Sequence, residues 1–95
     1  GITYPVGRCP DGASWTGLQN HRAADDAGLL LVFRERASKE ADAPLPLRFA
    51  AGRRVVLTDL LAQTTRKEQA DAEGRVRFAI QDAPGFRILA YRFAD

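Results

Sequence analysis

The fold is decided by the six residues RVRFAI at positions 75–80. Apolar and charged side chains alternate along them, which is the two-residue period of an extended strand with one buried face. Val76, Phe78 and Ile80 are therefore expected to point into a core, while Arg75 and Arg77 point to water. The preceding residues DAEG at 71–74 predict a tight turn, because glycine adopts a positive φ angle at little cost.

The stretches on either side of these residues also read as strands. The segment GLLLVFRER at 28–36 is a short apolar run that ends in charges, and it predicts a strand buried on both faces. The segment PLPLRF at 44–49 alternates, so that Leu45, Leu47 and Phe49 should face one way. Its two prolines cannot donate ladder hydrogen bonds, which places it at a sheet edge or a strand start.

The remaining segments predict further short strands and loops. They comprise a strand around Trp15 at 14–19, a polar loop at 21–27, a β-branched strand at 53–57, a loop or single helical turn at 59–61, a polar hairpin arm at 65–69, and a closing strand at 86–93 after the Pro84-Gly85 turn. Short strands at this spacing, with turns between them, are typical of an antiparallel sandwich or barrel. We therefore expect an all-β antiparallel β-sandwich of six to eight short strands, with residues 1–95 as a single domain.

The length of the chain limits what the domain can be. Ninety-five residues fit one domain, whereas a (β/α)₈ barrel needs roughly 200 or more, and a doubly wound dinucleotide domain is also unexpected at this size. The chain begins at Gly1 without a methionine, which suggests an excised fragment or a processed product of a larger protein. A lone cysteine, Cys9, cannot form an internal disulfide.

The charge distribution argues against nucleic-acid and membrane partners. The chain has 14 basic and 12 acidic residues, a net charge of +2. Its arginines are scattered as pairs such as Arg34/Arg36, which are expected on solvent-facing strand positions rather than in one basic patch. The longest apolar run, at 29–33, is far short of the ~20 residues that span a bilayer. No signal-peptide pattern is visible, so localisation is open between the cytoplasm and the periplasm or secretion of a parent protein.

Catalytic, cofactor and metal sites are not expected. The only histidine, His21, lies in a predicted polar loop and is interpreted as solvated rather than catalytic. Glu35 is the one carboxylate worth testing as a glycosidase acid, but Arg34 and Arg36 flank it, which favours an ion pair at the strand end. One histidine and one cysteine do not suffice for a zinc site, and Asp25-Asp26 lacks the spaced ligands of a calcium loop.

Trp15 is the most informative single residue. A lone tryptophan in a β-domain is usually a core or interface anchor, and its flat ring can also stack on a sugar. Asp11 and Gln19 supply the hydrogen-bonding groups that a sugar site requires. Asp11, Trp15 and Gln19 are therefore the candidate residues for carbohydrate or interdomain contact.

Several segments together resemble one known family. They are GRCPDGASWTGLQ at 7–19, GLLLVFRE at 28–35, LTDLL at 57–61, GRVRF at 74–78 and PGFRILAY at 84–91. Nearly the whole chain resembles the C-terminal part of melibiase-like glycoside hydrolases, the α-galactosidase-type enzymes of families 27 and 36, and the PDGxSWTG portion is the strongest part. In that family a (β/α)₈ barrel carries both catalytic aspartates and an antiparallel β-sandwich packs against it.

The resemblance implies a non-catalytic function. The chain would be the non-catalytic C-terminal accessory domain that stabilises the catalytic barrel and assists carbohydrate binding. No catalytic residue carries over, since the barrel motifs have no counterpart here. The surface that meets the barrel should be apolar and exposed, with Trp15 at or near it. The alternatives are a stand-alone carbohydrate-binding module, a protein-interaction domain that uses a sheet edge, and an autonomous enzyme.

Overall fold

Eight antiparallel strands in two layers make up the part of the chain that the computed structural model describes, residues 2–7 and 12–94. They are β1 (Ile2–Gly7), β2 (Trp15–Arg22), β3 (Ala27–Arg34), β4 (Asp42–Pro46), β5 (Arg54–Asp59), β6 (Thr64–Gln69), β7 (Arg75–Ala79) and β8 (Gly85–Phe93). The prediction of an all-β antiparallel sandwich is confirmed. None of the described residues belongs to a helix that could cross a bilayer.

The two layers differ greatly in size. The larger sheet has the strand order β1-β2-β3-β8-β5-β6, and the smaller contains only β4 and β7. The last strand, β8, lies in the middle of the larger sheet, where it pairs with β3 on one side and β5 on the other. Six strands are thus covered by two, which leaves the larger sheet with one face toward the core and one face without a second layer.

The core lies between the sheets and is built from alternate residues of each strand. Val76, Phe78 and Ile80 are almost fully buried, as the alternation of 75–80 predicts. Leu45 and Leu47 from the β4 segment join them. The opposing residues of the larger sheet are Val6, Trp15, Leu30, Val32, Val55, Leu57, Leu89, Tyr91 and Phe93. Burying each large apolar side chain contributes roughly 1.5–3 kcal/mol, so this interface supplies most of the stabilisation.

The predicted turn at 71–74 is present, but it connects the two layers. Gly74 has φ +81°, and a Cβ atom there would lie 2.8 Å from the Leu47 carbonyl oxygen, so only glycine fits without a shift. Asp71 Oδ1 accepts hydrogen bonds from the backbone N–H groups of Glu73 and Arg75, both at 2.9 Å. The Arg75 N–H in particular lowers the pKa of Asp71. The hairpin partner of β6 is β5, and β7 instead pairs with β4.

Three local predictions are wrong, and the physical reason in each case is the pairing of the strands. β3 is buried on one face only, since Leu29 and Phe33 point outward and are 46% and 39% exposed. The alternation of β4 stops before Phe49, which has φ +68° and is half exposed. His21 belongs to β2 rather than to a loop, because β2 pairs with β3 as far as Arg22.

Candidate functional site

Trp15 lies in the core, as a lone tryptophan in a β-domain usually does, and not at the apolar surface where the resemblance placed it. The residue opens β2 with its side chain directed inward and is 6% exposed. Its indole N–H donates to the backbone carbonyl of Glu40 at 2.9 Å, so the polar end of the ring is satisfied inside the domain. Trp15 lines a pocket of about 620 Å³ together with Ser14 and Glu40, but at 6% exposure it presents little of its ring to a sugar.

Gln19 is also an interior residue. It is fully buried, and its amide nitrogen donates to the Arg48 carbonyl at 3.1 Å and to the Tyr91 hydroxyl at 3.0 Å. Its amide oxygen accepts from the Arg48 backbone N–H at 2.8 Å. These bonds attach the loop after β4 to the larger sheet. The third residue predicted for this contact, Asp11, lies outside the described residues.

His21 is buried in a polar network, so its interpretation as a solvated loop residue is wrong. Its Nδ1 lies 2.5 Å from the Tyr91 hydroxyl, and its Nε2 lies 3.6 Å from an Asp26 carboxylate oxygen. Because Gln19 donates to the Tyr91 hydroxyl, that hydroxyl is free to donate to His21 Nδ1. Burial raises the pKa of Tyr91, against the opposing effect of the Gln19 hydrogen bond. Tyr91 is buried and hydrogen-bonded inside the domain, so it has a structural role and is not accessible to a substrate.

Glu35 fixes the backbone ahead of β2. Its carboxylate accepts hydrogen bonds from the N–H groups of Gly12 and Ser14, both at 3.1 Å. The Glu35 backbone N–H donates to the Ser14 carbonyl at 3.0 Å, which ties the same two segments together a third time. These hydrogen bonds to backbone N–H groups give the Glu35 side chain a structural role at the strand end.

Arg34 is buried rather than facing solvent, which corrects the prediction for the Arg34/Arg36 pair. It is 8% exposed, and its guanidinium donates to the carbonyls of Ile80, Gln81 and Ser38 at 2.8–3.0 Å. The inward position follows from its register opposite Trp15 on β2. Arg36, two residues later, is exposed as predicted.

A charged cleft of about 520 Å³ opens between β6 and β7. Its arginines are already paired with its carboxylates: Arg66 with Glu68, Arg77 with Asp42, and Arg87 with Asp59. Compensated ion pairs of this kind leave little net field for an ionic ligand. Within the described residues no three of His, Cys, Asp and Glu come together in a way that could hold a metal ion.

The most distinctive surface is the unlayered side of the larger sheet, which we call the outer face. Its apolar centre consists of Leu18, Leu29, Leu31, Phe33, Phe86 and Ile88. Cross-strand pairing places Leu18 beside Leu31 and Leu31 beside Ile88, so the centre is contiguous over β2, β3 and β8. Phe33 lies opposite Phe86, with ring centroids 6.2 Å apart.

The outer face is unusual because large apolar side chains remain in water. Leu18, Leu29 and Phe86 are each close to half exposed. Single exposed apolar residues are ordinary, whereas a contiguous exposed apolar patch is a feature that interaction sites of proteins share. The sequence carried this signal in the run at 29–33, where both strand faces are apolar. Interpreting it required knowing that the second layer has only two strands.

Comparison with known proteins adds no relative to this picture. No protein-family model, no curated protein and no solved structure matches the chain. The function is therefore argued from the surface itself.

Proposed function

We propose that this chain is a non-catalytic accessory β-sandwich that docks through its outer face onto a larger partner domain. The observation that carries the proposal is the contiguous apolar patch on a sheet that already has a complete core on its other side. Because that patch contributes nothing to the core, its role is best explained by burial against another surface.

The outer face approaches the size of a standard protein interface. At the usual strand spacing and rise, six strands with β3 eight residues long give a face of roughly 600 Å² in projection. A standard interface buries about 800 Å² on each partner, which a face of this size and its rim approach.

The resemblance to melibiase-like glycoside hydrolases names the candidate partner. There an antiparallel sandwich packs against the catalytic (β/α)₈ barrel, and the outer face would be the surface that makes this contact. The proposed task is to stabilise the barrel. The side chains of His21, Glu35 and Arg34 are engaged in structural hydrogen bonds.

The two binding alternatives receive less support from the structure. A stand-alone carbohydrate module was predicted to use Trp15 and Gln19, and both side chains are interior. An interaction through a sheet edge would use β1 or β6 of the larger sheet, or β4 or β7 of the smaller one. Prolines interrupt β4, and β7 carries two arginines on its outward positions. β1 contains Pro5, and every residue of β6 from Thr64 to Gln69 is polar, and both features discourage strand addition.

Hydroxyl-radical footprinting tests the proposal directly. The 95-residue chain and the protein made from the full reading frame are oxidised side by side, and Phe33 and Phe86 are compared with Phe49. All three phenylalanines have similar exposure in the isolated chain, but Phe49 lies outside the outer face. We expect Phe33 and Phe86 to be protected several-fold in the longer protein while Phe49 reacts equally in both. Equal oxidation of all three in both proteins, or a reading frame without a barrel-sized segment, would contradict the proposal.

A further inference from the structure

The charges of the outer face are confined to one end of it. The outward-pointing strand positions carry four charged residues, Arg22, Arg54, Lys67 and Arg92, which we call the basic border. No outward strand position of the described sheet carries Asp or Glu. The border lies about 20 Å along the sheet from Phe33 and Phe86, because six residues of β3 separate Phe33 from Ala27.

The border residues alternate with small apolar ones across the strands. Arg22 pairs with Ala27, and Ala27 with Arg92 on the other side. Arg92 is in turn beside Val56, and Val56 beside Lys67. Each small residue is thus flanked by two cations about 10 Å apart, twice the strand spacing.

A hollow of about 240 Å³ lies between the border and the apolar centre. Its floor includes Ala27, Val56 and Ala90, with Leu29 on one wall and Arg22 and Arg92 on the other. The volume accommodates one large side chain. Its walls combine an apolar side with two guanidinium groups, so the side chain that fits is one with an aliphatic stem and an anionic end.

We propose that the outer face recognises a protein surface with an apolar centre and carboxylates at one margin, and that a glutamate or aspartate of this surface enters the hollow between Arg22 and Arg92. The inference rests on the docking role proposed above and specifies its partner chemistry and orientation. Apolar contact over Leu29 and Phe33 supplies affinity, and the carboxylates set the direction in which the partner lies.

Three of the four border cations are not paired within the described part of the chain, and these support the assignment; Arg22 already has a carboxylate neighbour. Arg22 pairs with Asp25 at 2.9 Å, with both side chains at least half exposed. Arg54, Lys67 and Arg92 form no ion pair with any described residue, so their charges are available to an incoming surface. A second copy of this chain would bring its own basic border and no outward carboxylate on the sheet, which makes self-association the less favourable arrangement.

The test uses the protein from the full reading frame, with footprinting of Phe33 and Phe86 as the readout. Three substitutions are compared: Leu29→Asp in the apolar centre, Arg92→Glu in the border, and Arg36→Glu as the control. Arg36 is exposed, lies beyond the Phe33 end of β3 and undergoes the same charge change. Circular dichroism verifies that each variant is folded.

The expected result is that Leu29→Asp and Arg92→Glu both lower the protection, with Arg36→Glu unchanged. For Arg92→Glu we expect roughly a 3- to 10-fold loss, and the protection of the unsubstituted protein should weaken as salt rises from 0.05 to 0.5 M. Such a result supports the carboxylate-bearing partner.

Three other outcomes overturn the inference. Leu29→Asp could lower the protection of Phe33 and Phe86 while Arg92→Glu, like Arg36→Glu, leaves it unchanged. The docking role would then stand, but the proposed contact with partner carboxylates would be wrong. If the unsubstituted protein shows no protection, the docking role fails as well. If protection appears only with phosphatidylglycerol vesicles, or only at high protein concentration, the occupant is a membrane or a second copy rather than an acidic protein surface.

Discussion

Arg34 shows how a single charged residue can hold three segments together. Its guanidinium reaches the carbonyls of Ile80, Gln81 and Ser38 from the end of β3, and so ties the loop between β7 and β8 and the loop after β3 to the larger sheet. The planar fork of arginine suits this task, because several N–H groups donate in one plane. These carbonyl dipoles offset part of the cost of burying the charge, while the Arg34 Nε is buried without a hydrogen-bond partner among the described residues.

Replacing Arg34 by methionine should destabilise the domain by about 2–4 kcal/mol, since three carbonyls lose their donor in a buried setting. The matched change Arg36→Met removes the same charge from an exposed position and should alter the free energy of unfolding by less than about 0.5 kcal/mol. Urea denaturation at pH 7 measures both. Equal effects of the two substitutions would show that the Arg34 hydrogen bonds are not structurally important.

Tyr91 gives the domain a sensitivity to alkaline pH. Burial raises the pKa of this phenol above its ordinary value near 10. Above pH 10 the unfolded chain therefore loses the tyrosine proton while the folded state retains it, and the free energy of unfolding falls as pH rises. Tyr91→Phe should flatten this fall and also cost about 1–3 kcal/mol at neutral pH, because Gln19 and His21 lose a partner.

Urea denaturation at several pH values between 8 and 11 tests this prediction. Tyr4→Phe is the control, since Tyr4 lies on the edge strand β1 outside the Gln19–Tyr91–His21 hydrogen bonds. The Tyr4→Phe protein should lose stability at alkaline pH as the unsubstituted protein does, whereas the Tyr91→Phe protein should not. A Tyr91→Phe protein that loses stability between pH 9 and pH 11 as steeply as the unsubstituted one would contradict it.

At the scale of the strands, alternation was a reliable predictor only where one face of a strand is buried against a second layer. β7 and the first part of β4 were predicted from their two-residue period because their inward residues meet the larger sheet. β1 was not predicted, although Ile2, Tyr4 and Val6 alternate along it; of these three only Val6 is buried, because β1 lies at the sheet edge. The polar β6 was recognised only as a hairpin arm, and pairing with β5 defines it.

The candidate site was less predictable, because it depends on which side of each strand lacks a neighbour. Leu29, Leu31 and Phe33 look like core residues in the sequence, and Trp15 looks like a binding residue. The structure reverses these positions because β2 directs Trp15 inward and β3 directs Leu29 and Phe33 outward. Strand composition cannot distinguish a core face from a docking face when both are apolar.

At the scale of the whole molecule, the two faces of the larger sheet should respond differently to the same substitution. Phe78 on β7 packs against the inner face and is 2% exposed, whereas Phe86 on the outer face is 46% exposed. Phe78→Ala should reduce the free energy of unfolding by about 3–5 kcal/mol, since it removes a ring from a closed core. Phe86→Ala should cost about 1 kcal/mol or less in the isolated chain, because the lost ring was half in water.

The protein made from the full reading frame provides the decisive comparison for these two phenylalanines. Phe86→Ala should cost more there than in the isolated chain, because docking buries the ring, while Phe78→Ala should cost the same in both proteins. Denaturant unfolding of the sandwich, followed by the fluorescence of Trp15 where that signal is resolved, measures the difference. A Phe86→Ala effect that is equally small in both proteins would mean that the outer face stays in water, and the apolar centre would then need another explanation than docking.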